Sequence, residues 1–163
     1  MENTMKLKPN MTPRVALFNG DGVVSWLIKK QTRSKYSHAA LLLPGTTNRV
    51  IESREFKGVR LHTLDESDYQ LIDWFAIPSM SDAEYDTAIS LFMGQLGMPY
   101  DYWSVARFIT KKPARENGKW FCSEIVFKTL ADAGTRLLAR IPSAEVSPAH
   151  LGISPLLVKV EAP

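Results

Sequence analysis

The 163 residues contain a single cysteine, Cys122. That excludes an intramolecular disulfide and any cysteine-rich zinc site, and nothing here calls for an oxidising compartment. No stretch approaches the roughly 18 consecutive apolar residues of a membrane span. The opening "MENTMKLKPNMTPRVALF" lacks the apolar core of a secretory signal, so the cytoplasm is the default expectation, with delivery by another machine left open. Repeats, low-complexity tracts and Gly/Ser linkers are missing as well. Finger spacing, an RNA-binding aromatic signature and a convincing recognition helix are all absent, so nucleic acid is not an expected partner. Histidine is scarce, with only His38, His62 and His150.

An apolar content of 45% and an aromatic content of 10% suit one compact domain with its own core, spanning residues 1–163, with 1–12 expected as a flexible N-terminal segment. The net charge of +3 is unevenly placed. Residues 1–35 carry seven Lys/Arg against two acids, and Lys29, Lys30, Arg33 and Lys35 crowd just before His38. Arg107, Lys111, Lys112, Arg115 and Lys119 form a second run before Cys122. Such runs are commonly solvated loops; their functional reading is a basic rim that attracts an anionic substrate.

"RVALFNG" reads as a first strand, and "GDGVVSWLIKKQT" as a helix with Val23, Val24, Leu27 and Ile28 on one face. "SHAALLLPGTTNRVIESRE" gives two strands around a turn at 44–48, and "GVRLHTL" and "YQLIDWFAIP" continue the β run. "SMSDAEYDTAISLFMGQLG" opens with a Ser81-x-x-Glu84 capping box and is expected to run to Gly97. "YDYWSVARFI" and "FCSEIVFKTLADAG" are two further helices, the second with Gly134 at its C-terminal cap, and "PLLVKVE" is a last strand. Strands cluster first and helices later, which predicts an α+β fold with a mainly antiparallel sheet.

Cys122 falls at the expected start of its helix, where the partial positive charge of the helix end favours a thiolate. Free cysteine is also among the most buried residue types, so a packed structural thiol is the competing reading. A nucleophilic cysteine needs a base, normally histidine. His62 alternates with Leu61 and Thr63 and is expected to face solvent, and His150 lies in a proline-flanked loop. His38 begins "HAALLL", a buried strand in which an imidazole needs partners. Pairing the strands around the loop 44–48 sets Ala40 opposite Glu52 and His38 opposite Arg54, all on one face. Glu52 is then a diagonal neighbour of His38, able to hold its tautomer, or else a carboxylate serving Arg54.

"YSHAALLL", "VIES" and "WFCSEIV" resemble the histidine, acidic and cysteine segments of the circularly permuted papain-like hydrolases, the YiiX-like branch of the NlpC-type superfamily. "NGDG" and "LGMPYDYW" resemble further segments of that family, and His38 preceding Cys122 fits the permuted order. The resemblance implies Cys122 as nucleophile, His38 as base, Glu52 as orienting third member, and Tyr100, Trp120 and Ser123 as substrate-binding residues. It implies no metal and no organic cofactor. The expected activity is cleavage of an amide, possible substrates being cell-wall peptides, through a thioester, with first-turn amides holding the oxyanion. Two rivals stand beside it: a lipid acyl hydrolase or acyltransferase resembling lecithin retinol acyltransferase, acting on a lipid or lipid amide, and a non-catalytic binding module on the same scaffold.

Overall fold

The computed structural model describes residues 10–110 and 118–163. Its centre is a six-stranded antiparallel sheet in the order β4-β3-β2-β1-β5-β6. The strands are β1 (Val15–Phe18), β2 (His38–Leu42), β3 (Arg49–Arg54), β4 (Gly58–Thr63), β5 (Ile72–Ala76) and β6 (Val158–Val160). With its helices this is an α+β fold.

All four residues of β1 and all five of β2 are buried, which is why these segments read as unbroken apolar runs. Val15, Leu17, Leu41 and Ile51 form one side of the sheet and share a core with Tyr85, Ala88 and Phe92 of α3 (Asp82–Met93) and with Ile125, Val126 and Leu130 of α5 (Cys122–Asp132). The alternate residues Ala16, Phe18, Ala40, Leu42, Val50 and Trp74 build a smaller cluster on the other side. Truncating a fully buried side chain such as Ile125 to alanine costs about 2–5 kcal/mol, so the α5–sheet contact is firmly held.

Helix α1 (Val23–Thr32) follows β1, with Ile28 buried; Val23, expected on the same face, is 75% exposed. Helix α3 has the expected capping box, Ser81 Oγ accepting from Glu84 N–H and Glu84 Oε2 accepting from Ser81 N–H. The helix stops at Met93 instead of Gly97, and Gly94–Gly97 forms turns. Helix α4 is Tyr102–Thr110. Gly134 takes a positive φ of 109°, one residue beyond the cap of α5 at Ala133.

Two short helices went unread in the sequence: α2 (Glu66–Tyr69), capped by Asp65, and α6 (Pro148–Gly152), capped by Ser147. Asn10 donates to Asp82 Oδ1 at 2.8 Å; residues 1–9 of the expected flexible segment lie outside the described part. No helix among the described residues is long and apolar enough to cross a membrane.

Candidate active site

The sheet and α5 meet at one end of the molecule. Cys122 is the first residue of α5, after Phe121 in extended conformation, and His38 is the first residue of β2. Two links tie the approach to α5 to its surroundings. Tyr100 forms an isolated parallel bridge with Trp120: Trp120 N–H donates to Pro99 O at 3.1 Å, and Asp101 N–H to Trp120 O at 3.2 Å. Ser53, the neighbour of Glu52, donates its hydroxyl to the same Trp120 carbonyl at 2.7 Å. The strand bearing the carboxylate is thereby bonded two residues ahead of the cysteine.

The β2–β3 register places Ala40 opposite Glu52, as the loop length predicts, and His38 Nε2 lies 2.6 Å from Glu52 Oε2. Glu52 is fully buried and holds a second partner that the sequence reading missed. Arg60, its cross-strand neighbour on β4, approaches the other carboxylate oxygen, Oε1, with Nε at 2.9 Å and Nη2 at 2.8 Å. Arg54, on the His38–Glu52 face, brings Nη1 to 3.8 Å from Oε2. The two carboxylate oxygens are thus divided between guanidinium and imidazole.

Burial by itself would lower the His38 pKa, but the negative charge of Glu52 overrides it, and interaction with Cys122 adds to the effect, so the pKa is raised. Burial would raise the Glu52 pKa; the charge and hydrogen bond of His38, then Arg54 and Arg60, hold it well below the usual carboxylate range. The pair is therefore an imidazolium facing a carboxylate near neutral pH. Because Nε2 is taken by Glu52, Nδ1 is the ring nitrogen left for the nearby Cys122 sulfur. The ring of Phe18 meets that of His38 edge-on at 5.0 Å and further restricts its orientation.

Cys122 has 0% exposure and clusters with Ile28, Tyr100 and Phe121, with Val24 and Val105 packed against them. Helices α1 and α4 therefore roof the thiol. Beside His38 the open space is a cleft of about 40 Å³ that also touches Gly20, Ser25 and Ser37, which is room for about a water molecule or two. Gly20 is needed there: an added Cβ would stand 3.0 Å from Ser25 Oγ and 3.1 Å from Ser37 Oγ, and Gly20 N–H donates to Ser37 Oγ. At the first turn of α5 the amides of Cys122 and Ser123 have no carbonyl one turn back to bond.

Tyr100 is buried against the cysteine cluster, and its phenol pKa is pushed up by burial first and by Cys122 next. Trp120 is half-buried with its indole N–H donated to Gln95 Oε1 at 2.9 Å, and Ser123 is buried with its hydroxyl donated to Val146 O at 2.6 Å. What Ser123 brings to the site is its backbone amide. His62 is not solvated as expected: it is half-buried, with Nε2 3.0 Å from Asp68 Oδ2, an acid on the unread helix α2. His150 Nδ1 accepts from Ser147 N–H in the cap of α6. In the first basic run Lys35 pairs with Asp73 at 2.5 Å, Lys29 donates to Asn19 at 3.1 Å and Lys30 sits over the Trp26 ring. Of the second run, Lys111, Lys112 and Arg115 lie outside the described residues.

No family model matches the chain, and no curated protein does. Among solved structures it is similar to the metalloprotein YiiX from Escherichia coli O157:H7, a protein of DUF1105, with a TM-score of 0.70 and 18% identity over 96% of this chain and 99% of that one. The fold is thus YiiX-like along nearly the whole length. Among the described residues no three His, Cys, Asp or Glu side chains are grouped to hold one, and Glu52, the site's carboxylate, is already paired with cationic groups that oppose a further cation.

Proposed function

We propose that the chain is a cysteine hydrolase of the permuted papain-like kind, cleaving an amide through a thioester, with Cys122, His38 and Glu52 as its triad. The observation that carries this reading is the arrangement at His38: one ring nitrogen is held by a buried, Arg-fixed carboxylate and the imidazole also interacts with a thiol at a helix start. A merely packed cysteine has no need of that arrangement.

In the reaction, the Cys122 sulfur, its proton already held by the His38 imidazolium, forms the C–S bond to the carbonyl carbon as the carbonyl π pair moves onto oxygen. The first-turn amides of Cys122 and Ser123 hold the resulting oxyanion. Collapse breaks the C–N bond as His38 returns its proton to the departing nitrogen. A water, deprotonated by His38, then attacks the thioester, and the C–S bond breaks to restore Cys122. Glu52 stabilises the imidazolium in both halves.

A second reading, a binding module on the same scaffold, draws on the complete burial of Cys122. A panel of peptide amides, peptidoglycan fragments and lipid esters, with mass detection of products and of a Cys122 acyl adduct, separates the readings. Amide products together with the adduct support the hydrolase. Ester products without amide products favour a lipid substrate. A panel with neither product nor adduct favours the binding module.

A further inference from the structure

The loop between β3 and β4 carries the most exposed large apolar side chain among the described residues. Phe56 is 85% exposed and has a φ of 62°, in the left-handed region that bulky side chains rarely occupy. Glycine or asparagine would serve such a turn without strain. The Phe56 N–H is held by the Tyr102 hydroxyl at 2.6 Å, and the two rings are tilted against each other at 5.7 Å. Tyr102 in turn meets Tyr100 edge-on at 5.0 Å, and Tyr100 belongs to the cysteine cluster. Three aromatic rings therefore lead from the hairpin tip to the thiol.

These rings border a groove of about 380 Å³, with Pro99, Lys57 and Lys119 also in its lining. The groove is rigidly backed. Val59 N–H donates to Met98 O, Gly97 N–H to Val59 O, and Trp120 N–H to Pro99 O. A Cβ on Gly58 would come within 2.3 Å of Met98 O, so the hairpin sits directly on this backbone. Two acids adjoin the groove in sequence, Glu55 beside Phe56 and Asp101 between Tyr100 and Tyr102, and both act on Tyr100. Strained and exposed residues held in place by their surroundings gather at ligand sites, and aromatic walls favour a flat ring over an alkyl chain of equal area.

We infer that the Phe56–Tyr102–Tyr100 groove is a substrate subsite for a planar ring carrying a carboxylate, the ring lying against Phe56 and Tyr102 and the anion facing Lys57. This rests on the hydrolase reading and names the substrate class for it: an amide with an anionic aromatic group on the side of the scissile bond that meets Tyr100. An aliphatic lipid gains no such ring contact.

Alkylation of Cys122 by 4-(iodoacetamido)benzoate and by N-hexyliodoacetamide, each normalised to its rate with N-acetylcysteine, reads the preference. The benzoate reagent is expected to be favoured by about two- to tenfold, the factor that ring contacts contribute beyond area. Phe56→Gly abolishes the preference and raises Tm by relieving the strained turn, while Trp26→Ala, an exposed ring outside the groove, keeps it. A preference for the hexyl reagent, or one unchanged by Phe56→Gly, overturns the subsite. If Cys122 reacts with neither reagent, the hydrolase reading fails separately. Saturation-transfer NMR with N-acetylphenylalanine on the Cys122→Ala protein then decides: ring saturation lost in the added Phe56→Gly background supports the groove, and equal saturation in both overturns it.

Discussion

Glu52 shares its two carboxylate oxygens between His38, at 2.6 Å on Oε2, and the Arg60 guanidinium, at 2.8 and 2.9 Å on Oε1. All of this lies on one face of β2, β3 and β4, and Glu52 is wholly buried. A carboxylate fixed from one side by arginine can neither rotate away from the imidazole nor take up a proton easily. This explains how an anion survives in the interior, and why the imidazole beside it keeps its charge.

Replacing Glu52 with glutamine removes the anion from His38, Arg60 and Arg54. The cost is about 3–5 kcal/mol, the usual penalty for breaking a buried pair. Its pH dependence has a definite sign. Glu52 is held below its ordinary 4.5, so its contribution is present above that value and is lost as pH falls through the lowered folded pKa. His38 is raised above its ordinary 6.5, so its contribution is complete below that value and is lost as pH rises through the raised folded pKa. Denaturant titrations should therefore show the widest gap between wild type and Glu52→Gln at pH 4.5–6.5, narrowing on both sides. A gap independent of pH would contradict the ion pair.

Arg60 acts through Glu52 and touches neither thiol nor substrate, which makes it a positioning residue. Glu52→Gln should raise the pH at which the thiolate forms, because the imidazolium loses its anionic support, and Arg60→Gln should raise it by less, with kcat falling and KM nearly constant. Arg60→Lys should recover part of the shift, because one ammonium replaces the charge without the fork. Equal behaviour of Gln and Lys would reduce Arg60 to a packing role.

The roof over Cys122 predicts gated access. Ile28→Val opens one methyl-sized gap beneath α1 at a cost of about 0.5–1.5 kcal/mol. Alkylation of Cys122 by iodoacetamide should become faster at every pH while the midpoint of its pH profile stays put. A moved midpoint with an unchanged plateau would mean that α1 tunes the thiol instead of covering it.

The His38–Glu52 contact was legible because the loop 44–48 fixes the register of β2 against β3, and period-two alternation then places both side chains on one face. Arg60 could have been found by the same arithmetic. A turn at Glu55–Lys57 pairs Arg54 with Gly58 and hence Glu52 with Arg60, but the left-handed residue of that turn is a phenylalanine, which hides the signal. The Ser147-Pro148 pair that starts α6 is likewise a readable cap. The burial of Cys122 was legible only as the general habit of free cysteine; what covers it was not, since that depends on where α1 and α4 come to rest, a tertiary outcome that no local spacing encodes. His62 was misplaced for a related reason: alternation put it on a face, and its partner Asp68 lies on a four-residue helix too short to show a period.

The central claim, that Cys122 and His38 form a reactive pair, is tested most directly by the pH profile of Cys122 alkylation with iodoacetamide in the wild type and in His38→Ala, followed by intact mass. The account predicts labelling at pH 6–7 well beyond what a free thiol of pKa about 8.5 would give, with the midpoint moving upward in His38→Ala. A Cys122 that is labelled only after denaturant is added, or that has the same midpoint in both proteins, would contradict it.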